Sequence, residues 1–525
     1  MSDWSLRHCP LICESDLSAL NILEHSGWES ACAIELVCHV WRSLVHHWFS
    51  QLKAIQFSNY RASDIVIRGV LLKCSSLRSL EIVRNNVDLV STPLEHPFLL
   101  TDASVQVATE SCKRLEHIHL EVMRHTVLRV HSFAARTVPS LTAKSFEMIA
   151  TNCPQLKSFT VKNCTCFEPN AFLQVIKFCT QLRAIKLTHN CGVKFFEAFA
   201  MQCGREVRSL YFNFAGVSKA DKFSLLHLLL KSCPKLEALN YYGVEWDMMQ
   251  AIKLNSTQWR ALELGIGDTA IRDLASLFQS HSNLQELYLV CDTLHVGCVS
   301  ALGQCCKNLT KFSLYSKNES LVNALQEMPG NFLKIRSLRL LRAYGNDAEE
   351  LLRTDRLKVV SSNIQNLTLR GFSTDSLLEL MATFPHLQKL KFVGRITKRR
   401  EQECLEKHAL RELHLRYWTH THSTLDQDGF RNVIMHLPKL EVFSVEMRIL
   451  NHDNLALLDQ RCPSLRSLYV SGMVIDGASM RLFHEGFRSL QVLDLGYISK
   501  KEYCCVLAYL RFRRPLLQVS FLLSV

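Results

Sequence analysis

The sequence predicts an α/β solenoid in which short parallel strands line a concave face and helices lie outside. The first observation is a phrase that recurs about every 23 to 30 residues: a Cys or another small or apolar residue, then Leu-x-x-Leu-x-Leu. The second is an alternation of apolar and polar residues inside each copy. The third is a stretch with apolar residues at helical spacing between copies. The clearest copies begin at Leu115, Leu156, Leu236, Leu309 and Leu465.

Each copy predicts one strand. Side chains of a strand alternate between its two faces, so Leu287 and Leu289 point to one face and Tyr288 to the other. Between the strands, residues 104–111, 171–178 and 376–382 have the apolar periodicity of helices. A single strand and helix cannot bury their apolar faces alone, and stacked neighbours supply the missing core. Because helices are wider than strands, we expect the stack to curve with its sheet on the concave side.

A Cys before Pro or a basic residue closes several of the predicted helices, as at Cys153, Cys233 and Cys462. This pattern resembles the cysteine-containing subfamily of leucine-rich repeats. We predict about 17 repeats over residues 51–525. A small apolar thiol at a helix end is a common core residue, so we interpret these Cys as packing residues and not as ligands or nucleophiles.

The composition fits a folded protein, with 48% hydrophobic and 21% charged residues. The 21 Cys lack the close spacing of a disulfide framework and residues 1–30 lack a secretory pattern, so we expect a reducing compartment, the cytoplasm or nucleus. No apolar run reaches the roughly 18 residues of a membrane span. The net charge of +12 allows an acidic partner, and we favour a solvated basic surface over nucleic-acid binding.

Residues 1–50 form a different, helical segment. Its apolar residues recur at helical spacing, and the segment is too small to bury them itself. The sequence Val37-Cys38-x-x-Trp41-Arg42 at its end resembles the second half of an F-box, and an F-box followed by such repeats resembles the F-box/leucine-rich-repeat proteins. The apolar residues that this resemblance assigns to adaptor binding are Leu17, Leu20, Ile22, Leu23, Ile34, Val37, Cys38 and Trp41.

The resemblance implies a non-catalytic, substrate-recognition subunit of a Skp–cullin–F-box ubiquitin ligase. In that family the F-box binds a Skp-type adaptor, and through it a cullin, while the repeats hold the protein to be ubiquitinated. The Leu-Pro pair that commonly opens an F-box is absent near Glu14-Ser15. This difference leaves open a leucine-rich-repeat scaffold or regulatory binding protein with no link to ubiquitin.

Motifs of catalysis and cofactor binding are missing from the sequence: there is no Gly-rich phosphate loop, Gly-x-Ser-x-Gly or kinase motif. His414, His420 and His422 lack Cys or carboxylate partners at zinc spacing, so we expect a loop after a strand and no metal. We therefore predict no enzyme activity and no cofactor.

Two groups of predicted strand residues are candidates for substrate binding. One is basic and one is aromatic, and neighbouring strands about 4.8 Å apart would bring the members of each group together. Arg holds carboxylate or phosphate groups bidentately, so we expect an acidic or phosphorylated protein segment as the ligand. A solvated concave face and an inositol-phosphate receptor are the alternatives. The residues are Tyr211, Tyr242, Tyr288, Tyr315, Arg339, Arg370, Lys391 and Arg416.

Overall fold

A computed structural model gives the fold. It describes residues 32, 35, 39–57, 64–83, 101–121, 141–162, 169–191, 193–213, 217–254, 259–267, 271–292, 294, 296–316, 334–342, 350–351, 363–374, 377–396, 408–416, 427–446, 451–471, 477–499 and 518–524. The described chain divides into two compact units, a first unit up to Leu236 and a second unit from Glu237.

In the first unit every described strand runs parallel to its neighbours in chain order. The strands are β1 Ala54–Phe57, β2 Ser79–Val83, β3 His117–Glu121, β4 Ser158–Lys162, β5 Ala184–Asn190 and β6 Ser209–Asn213. The helices are α1 His39–Gln51, α2 Asp64–Leu71, α3 Asp102–Ser111, α4 Ala143–Asn152, α5 Pro169–Phe178, α6 Val193–Cys203 and α7 Lys219–Ser232. One α-helix separates each strand from the next, as the repeat pattern predicts.

In the second unit the described strands again pair in parallel, and α-helices are described between several of them. Its strands are β7 Ala238–Val244, β8 Ala261–Ile266, β9 Glu286–Cys291, β10 Lys311–Ser316, β11 Ser337–Arg342, β12 Glu350–Leu351, β13 Asn366–Thr374, β14 Lys389–Ile396, β15 Glu412–Arg416, β16 Val442–Glu446, β17 Ser467–Ser471, β18 Val492–Ser499 and β19 Gln518–Ser524. Its helices are α8 Trp246–Leu254, α9 Leu274–Ser280, α10 Val296–Cys305, α11 Leu377–Thr383, α12 Gln427–Met435, α13 His452–Arg461 and α14 Gly477–Glu485.

The core of each unit lies between strands and helices. In β9 the apolar residues Leu287 and Leu289 are buried at 2% and 1% exposure, while Tyr288 between them is half-buried on the other face. Backbone bonds tie each repeat to the one before it. The N–H groups of Gln285 and Glu286, for example, both donate to the carbonyl oxygen of Arg260 one repeat earlier. The alternating pattern and these bonds together fix the register of every described strand pair.

The Cys at the helix ends connect successive repeats. Cys112, Cys153, Cys233 and Cys462 are buried C-caps whose backbone N–H closes the last helical turn. Several thiols also donate to a carbonyl oxygen of the preceding repeat. The Sγ of Cys462, for example, lies 3.4 Å from the oxygen of Leu437. A thiol is a weak donor, and at Leu437 it adds a second donor to a carbonyl oxygen that already accepts the N–H of Leu440.

A β-bulge interrupts β13 between Arg370 and Phe372. Gly371 occupies it with φ of +81°, a left-handed conformation that Gly adopts without steric cost. On the next strand a Cβ at Gly394 would lie 1.8 Å from the carbonyl oxygen of Phe372, so the two backbones meet where only Gly fits. The bulge interrupts the regular pairing of β13 with β14 directly after Arg370.

The prediction of an α/β repeat fold with parallel strands is confirmed, and both units are leucine-rich-repeat-like stacks. The helices predicted at 104–111, 171–178 and 376–382 are α3, α5 and α11. The buried Cys confirm the packing interpretation. Within the part of the chain that the structure describes, no helix has the length and apolar character needed to cross a membrane.

We predict that alkylation of the native protein separates two adjacent Cys. Burial raises the pKa of Cys306 to about 12, and its side chain is 1% exposed, whereas Cys305 is half-buried. Thiolate is the reactive form, so at pH 8 only about one Cys306 thiol in ten thousand would be reactive even if reagent reached it. Iodoacetamide should therefore label Cys305 first, as fragment-ion mass spectrometry of the peptide can show.

The unfolded protein is the control, since both thiols should react there at similar rates. Equal labelling of Cys305 and Cys306 in the native state would contradict the buried helix-end position of Cys306.

Candidate binding surface

The strand face opposite the buried leucines, here called the open face, carries the predicted substrate-binding side chains. In the second unit the strand register places residues of successive strands side by side in rows. The central row contains Asn240, Glu263, Tyr288, Ser313, Arg339, Thr368, Lys391 and His414. The outer row, two residues further along each strand, contains Tyr242, Gly265, Val290, Tyr315, Leu341, Arg370, Val393 and Arg416.

The four predicted cations lie on consecutive paired strands but alternate between the two rows. We call Arg339, Arg370, Lys391 and Arg416 the basic cluster. Arg339 and Lys391 are in the central row with Thr368 between them, whereas Arg370 and Arg416 are in the outer row with Val393 between them. Members of one row are therefore two strand spacings apart, about 10 Å at the backbone. The arrangement is a staggered patch and not a single line.

The charges of the basic cluster act on one another. The pKa of Lys391 is lowered, first by burial and then by the positive charges of Arg416, Arg339, Lys389 and Arg370. Among the described residues neither Lys391 nor Arg339 has a carboxylate within salt-bridge distance, while Lys389 pairs with Glu412. The centre of the cluster thus holds positive charge without a compensating acid, which is the electrostatic setting that favours an anionic ligand.

His414 follows Lys391 in the central row but adds little positive charge. Burial, and then the charge of Lys389, lower its pKa, and the nearby Glu412 only partly opposes this effect. Its Nε2 lies 3.6 Å from Glu412 Oε2 and makes no hydrogen bond within the described part of the chain. His420 and His422 lie outside the described residues. In the described ranges no group of three His, Cys, Asp or Glu side chains is placed to hold a metal ion.

Three of the predicted tyrosines lie beside the basic cluster. Tyr288 is in the central row and Tyr242 and Tyr315 are in the outer row, so they do not occupy equivalent positions. The hydroxyl of Tyr242 donates to Glu263 Oε1 at 2.6 Å, and the ring is 37% exposed. Burial raises the pKa of Tyr288, with the charges of Arg339 and Glu263 acting in opposite directions. Tyr288 therefore lies between an acidic and a basic group.

Tyr211 belongs to the first unit, where its ring faces Lys186 with the ammonium 3.8 Å from the ring centroid. The open face of this unit also carries a network that the sequence analysis missed. His119 Nδ1 lies 3.1 Å from Glu81 Oε1, and Lys162 Nζ lies 2.7 Å from Glu121 Oε2. Lys162 has a carboxylate partner there, in contrast to Lys391 and Arg339 of the basic cluster. The alternating polar residues of 117–121 were the signal that could have revealed it.

Most of the predicted adaptor-binding residues lie outside the described residues. These are Leu17, Leu20, Ile22, Leu23, Ile34, Val37 and Cys38. Trp41 lies in α1, although its side chain is not among those described.

The described end of α1 is anchored on the first unit. Val45, Trp48 and Phe49 of this helix are buried. Glu35 bonds to Lys73 of the first described repeat and accepts a 2.8 Å hydrogen bond from His46 Nε2. Burial by itself would raise the pKa of Glu35, but these two partners lower it. No sequence pattern indicates this contact, because Glu35 and Lys73 are 38 residues apart.

Comparison with known proteins gives distant structural likenesses only. No protein-family model matches the chain. No curated protein matches it either. Among solved structures, a chain described as "Crystal structure of Rad7 and Elc1 complex in yeast" is similar with 14% identity and a TM-score of 0.42, covering 65% of this chain and 82% of that chain.

We predict that Lys391→Met raises the melting temperature. The lowered pKa means that the folded state disfavours the charged form of Lys391, so the penalty is fully present at neutral pH. This cost to stability disappears only as the pH rises from the lowered pKa of Lys391 in the folded state to its ordinary pKa of 10.5. Met retains most of the aliphatic stem, so the gain should be at most about 1 kcal/mol at this exposed position. Differential scanning calorimetry would measure it.

Added salt is a second readout, since screening weakens repulsion and should stabilise the wild type more than Lys391→Met. Lys439→Met, at an exposed turn, is the control. It should change neither the melting temperature nor the response of the melting temperature to added salt. A lower melting temperature for Lys391→Met would contradict repulsion within the basic cluster.

Proposed function

We propose that this chain is a non-catalytic substrate-recognition subunit of a Skp–cullin–F-box ubiquitin ligase. The second unit would bind an acidic or phosphorylated segment of the target protein on its open face, and the amino-terminal segment would bind a Skp-type adaptor and through it the cullin. The observation that carries this proposal is the basic cluster, in which Lys391 and Arg339 lack carboxylate partners among the described residues.

The geometry of the basic cluster suits an extended anionic segment. Its four side chains come from four consecutive paired strands and span about 14 Å at the backbone. A segment that crosses these strands would meet a cation at each step. Each exposed pair contributes only about 0.2 to 1 kcal/mol, so binding requires several of them together. Arg339, Arg370 and Arg416 can each hold two oxygens of one carboxylate or phosphate group.

The connection of α1 to the first unit supports the adaptor half of the proposal. A substrate receptor works by holding its target at a defined position relative to the adaptor, which requires a firm joint after the adaptor-binding segment. Such a rigid connection lies at the end of α1, where Trp48 and Phe49 are buried and Glu35 bonds to Lys73. The sequence resemblance at Val37-Cys38-x-x-Trp41-Arg42 is the support for an F-box in front of this joint.

The cytoplasm or nucleus is the proposed location, because Skp–cullin–F-box ligases act there. Free thiols support a reducing compartment: the described Cys, which include Cys74, Cys112, Cys153 and Cys306, form no disulfide. A leucine-rich-repeat scaffold without a ubiquitin link is the competing function, and adaptor binding separates the two.

We predict that Trp41→Ala together with Val37→Asp abolishes co-purification of a Skp-type adaptor with the full-length chain. The proposed contact is apolar, and an aspartate buried in it would lack a partner. Affinity purification followed by immunoblotting for adaptor and cullin is the measurement. Trp246→Ala, which removes a 51% exposed tryptophan of the second unit, is the matched control and should retain both partners.

Two results would favour the scaffold function. One is a wild-type chain that brings down neither adaptor nor cullin. The other is a double variant that retains both while its circular dichroism spectrum stays unchanged.

A second prediction concerns target capture. Replacing all four residues of the basic cluster by Glu should abolish capture and ubiquitination of target proteins, because attraction becomes repulsion at every step. Adaptor binding should persist, since it belongs to the amino-terminal segment. The measurement is quantitative mass spectrometry of captured proteins, with wild-type capture expected to fall as salt is added.

The matched control reverses four exposed cations of turns and helix ends in the same unit. They are Lys307, Lys439, Arg461 and Arg488. Equal losses in both quadruple variants would indicate a general charge effect, and unchanged capture in the first would show that the basic cluster is only a solvated surface.

A further inference from the structure

The open face of the second unit has an acidic, aromatic end as well as a basic one. Glu263 and Arg339 lie on either side of Tyr288 in the central row, three strand spacings apart. The carboxylate of Glu263 accepts a hydrogen bond from Tyr242 and has no basic partner among the described residues. Tyr288 and Tyr315 extend the aromatic surface toward Arg339. We call Tyr242, Glu263, Tyr288 and Tyr315 the tyrosine cluster.

Two buried polar side chains of the central row lack partners in this region. The amide of Asn240, beside Glu263, is 3% exposed, and neither its oxygen nor its nitrogen makes a hydrogen bond in the described structure. The hydroxyl of Ser313, between Tyr288 and Arg339, is likewise unpaired. Buried polar groups without partners cost free energy, so a ligand that supplies a donor and an acceptor along this row is favoured.

We propose that the tyrosine cluster binds a lysine or arginine side chain of the same protein segment whose acidic residues bind the basic cluster. A cation over a tyrosine face is attracted by the ring, and Glu263 adds an opposite charge. This inference rests on the proposed function, because it takes the open face to be the target-binding surface. It narrows the target from any acidic segment to one that also carries a positive charge at a fixed distance.

The strand spacing sets that distance. Glu263 and Arg339 are about 14 Å apart at the backbone, and an extended chain advances about 3.3 Å per residue, so the first acidic residue should follow the cation about four positions later. Arg339 and Lys391 are two spacings apart, so a second acidic residue follows about three positions later. A segment with the charges exchanged would place like charges together at both ends, which disfavours it.

A synthetic peptide tests the inference on the full-length protein. The fluorescein-labelled probe is Gly-Lys-Gly-Ser-Gly-Glu-Gly-Ser-Glu-Gly, compared with a version in which norleucine replaces Lys and a version with Lys and Glu exchanged. Fluorescence anisotropy at low ionic strength should show that the wild type binds the Lys probe about threefold to tenfold more tightly than the norleucine probe. The charge-exchanged probe should bind most weakly.

Glu263→Gln should abolish the preference for Lys over norleucine. The amide oxygen of Gln can still accept the bond from Tyr242, so the local structure is retained while the charge is removed. Glu379→Gln removes an equal charge from an exposed site in α11 and should leave the preference unchanged. Both variants should keep the salt dependence that the basic cluster confers.

Each alternative outcome has a distinct meaning. If the wild type binds the Lys and norleucine probes equally, or if Glu263→Gln still prefers the Lys probe, the proposal that the tyrosine cluster binds a cation is wrong. Salt-dependent binding that is lost on charge reversal of the basic cluster would then still support the proposed function. If no probe binds, or charge reversal of the basic cluster leaves probe binding unchanged, the proposed target-binding surface itself is wrong. Tight binding of the charge-exchanged probe would overturn the proposed polarity.

Discussion

Residue-for-residue parallel pairing of successive repeats is the constraint on which the rest of the structure depends. Two neighbouring N–H groups of one repeat donate to a single carbonyl of the repeat before it, as Gln285 and Glu286 do to Arg260. A slip by one residue would turn Leu287 and Leu289 out of the core, so burial and pairing enforce the same register. Through this register, side chains far apart in sequence become neighbours about 4.8 Å apart on the open face.

The two units use their open faces differently. In the first unit Lys162 pairs with Glu121, and His119 contacts both Glu81 and Glu121, so each cation and acid of this network has a partner within the surface itself. In the second unit burial, and then the positive charges of Arg416, Arg339, Lys389 and Arg370, lower the pKa of Lys391 at the centre of the basic cluster. Such repulsion lowers stability and is relieved by an anionic ligand, so this surface is the better candidate for binding.

At the helix ends that carry Cys, a thiol suits the site better than the side chain of Ala or Ser would, for two reasons. The site is buried, as the 0% exposure of Cys153 shows, and favours an apolar side chain of small volume. It also faces the end of the preceding helix, where the carbonyl oxygen of Cys153 accepts the N–H of Leu156 and can accept a second donor. The thiol of Cys179, 3.3 Å from the carbonyl oxygen of Cys153, meets both demands. Burial raises the pKa of Cys179 to about 12 and keeps the thiol protonated as a donor.

The sequence by itself determined the repeat, the strand and helix assignment and the buried role of the Cys, because these follow from local periodicity. It also identified the basic residues, since each flanks a strand leucine. Only the tertiary structure decided that Arg370 and Arg416 occupy a different row from Arg339 and Lys391, because row membership depends on the pairing between strands. The same holds for Glu263 beside Tyr242 and for Glu35 on Lys73, whose contacts join distant residues.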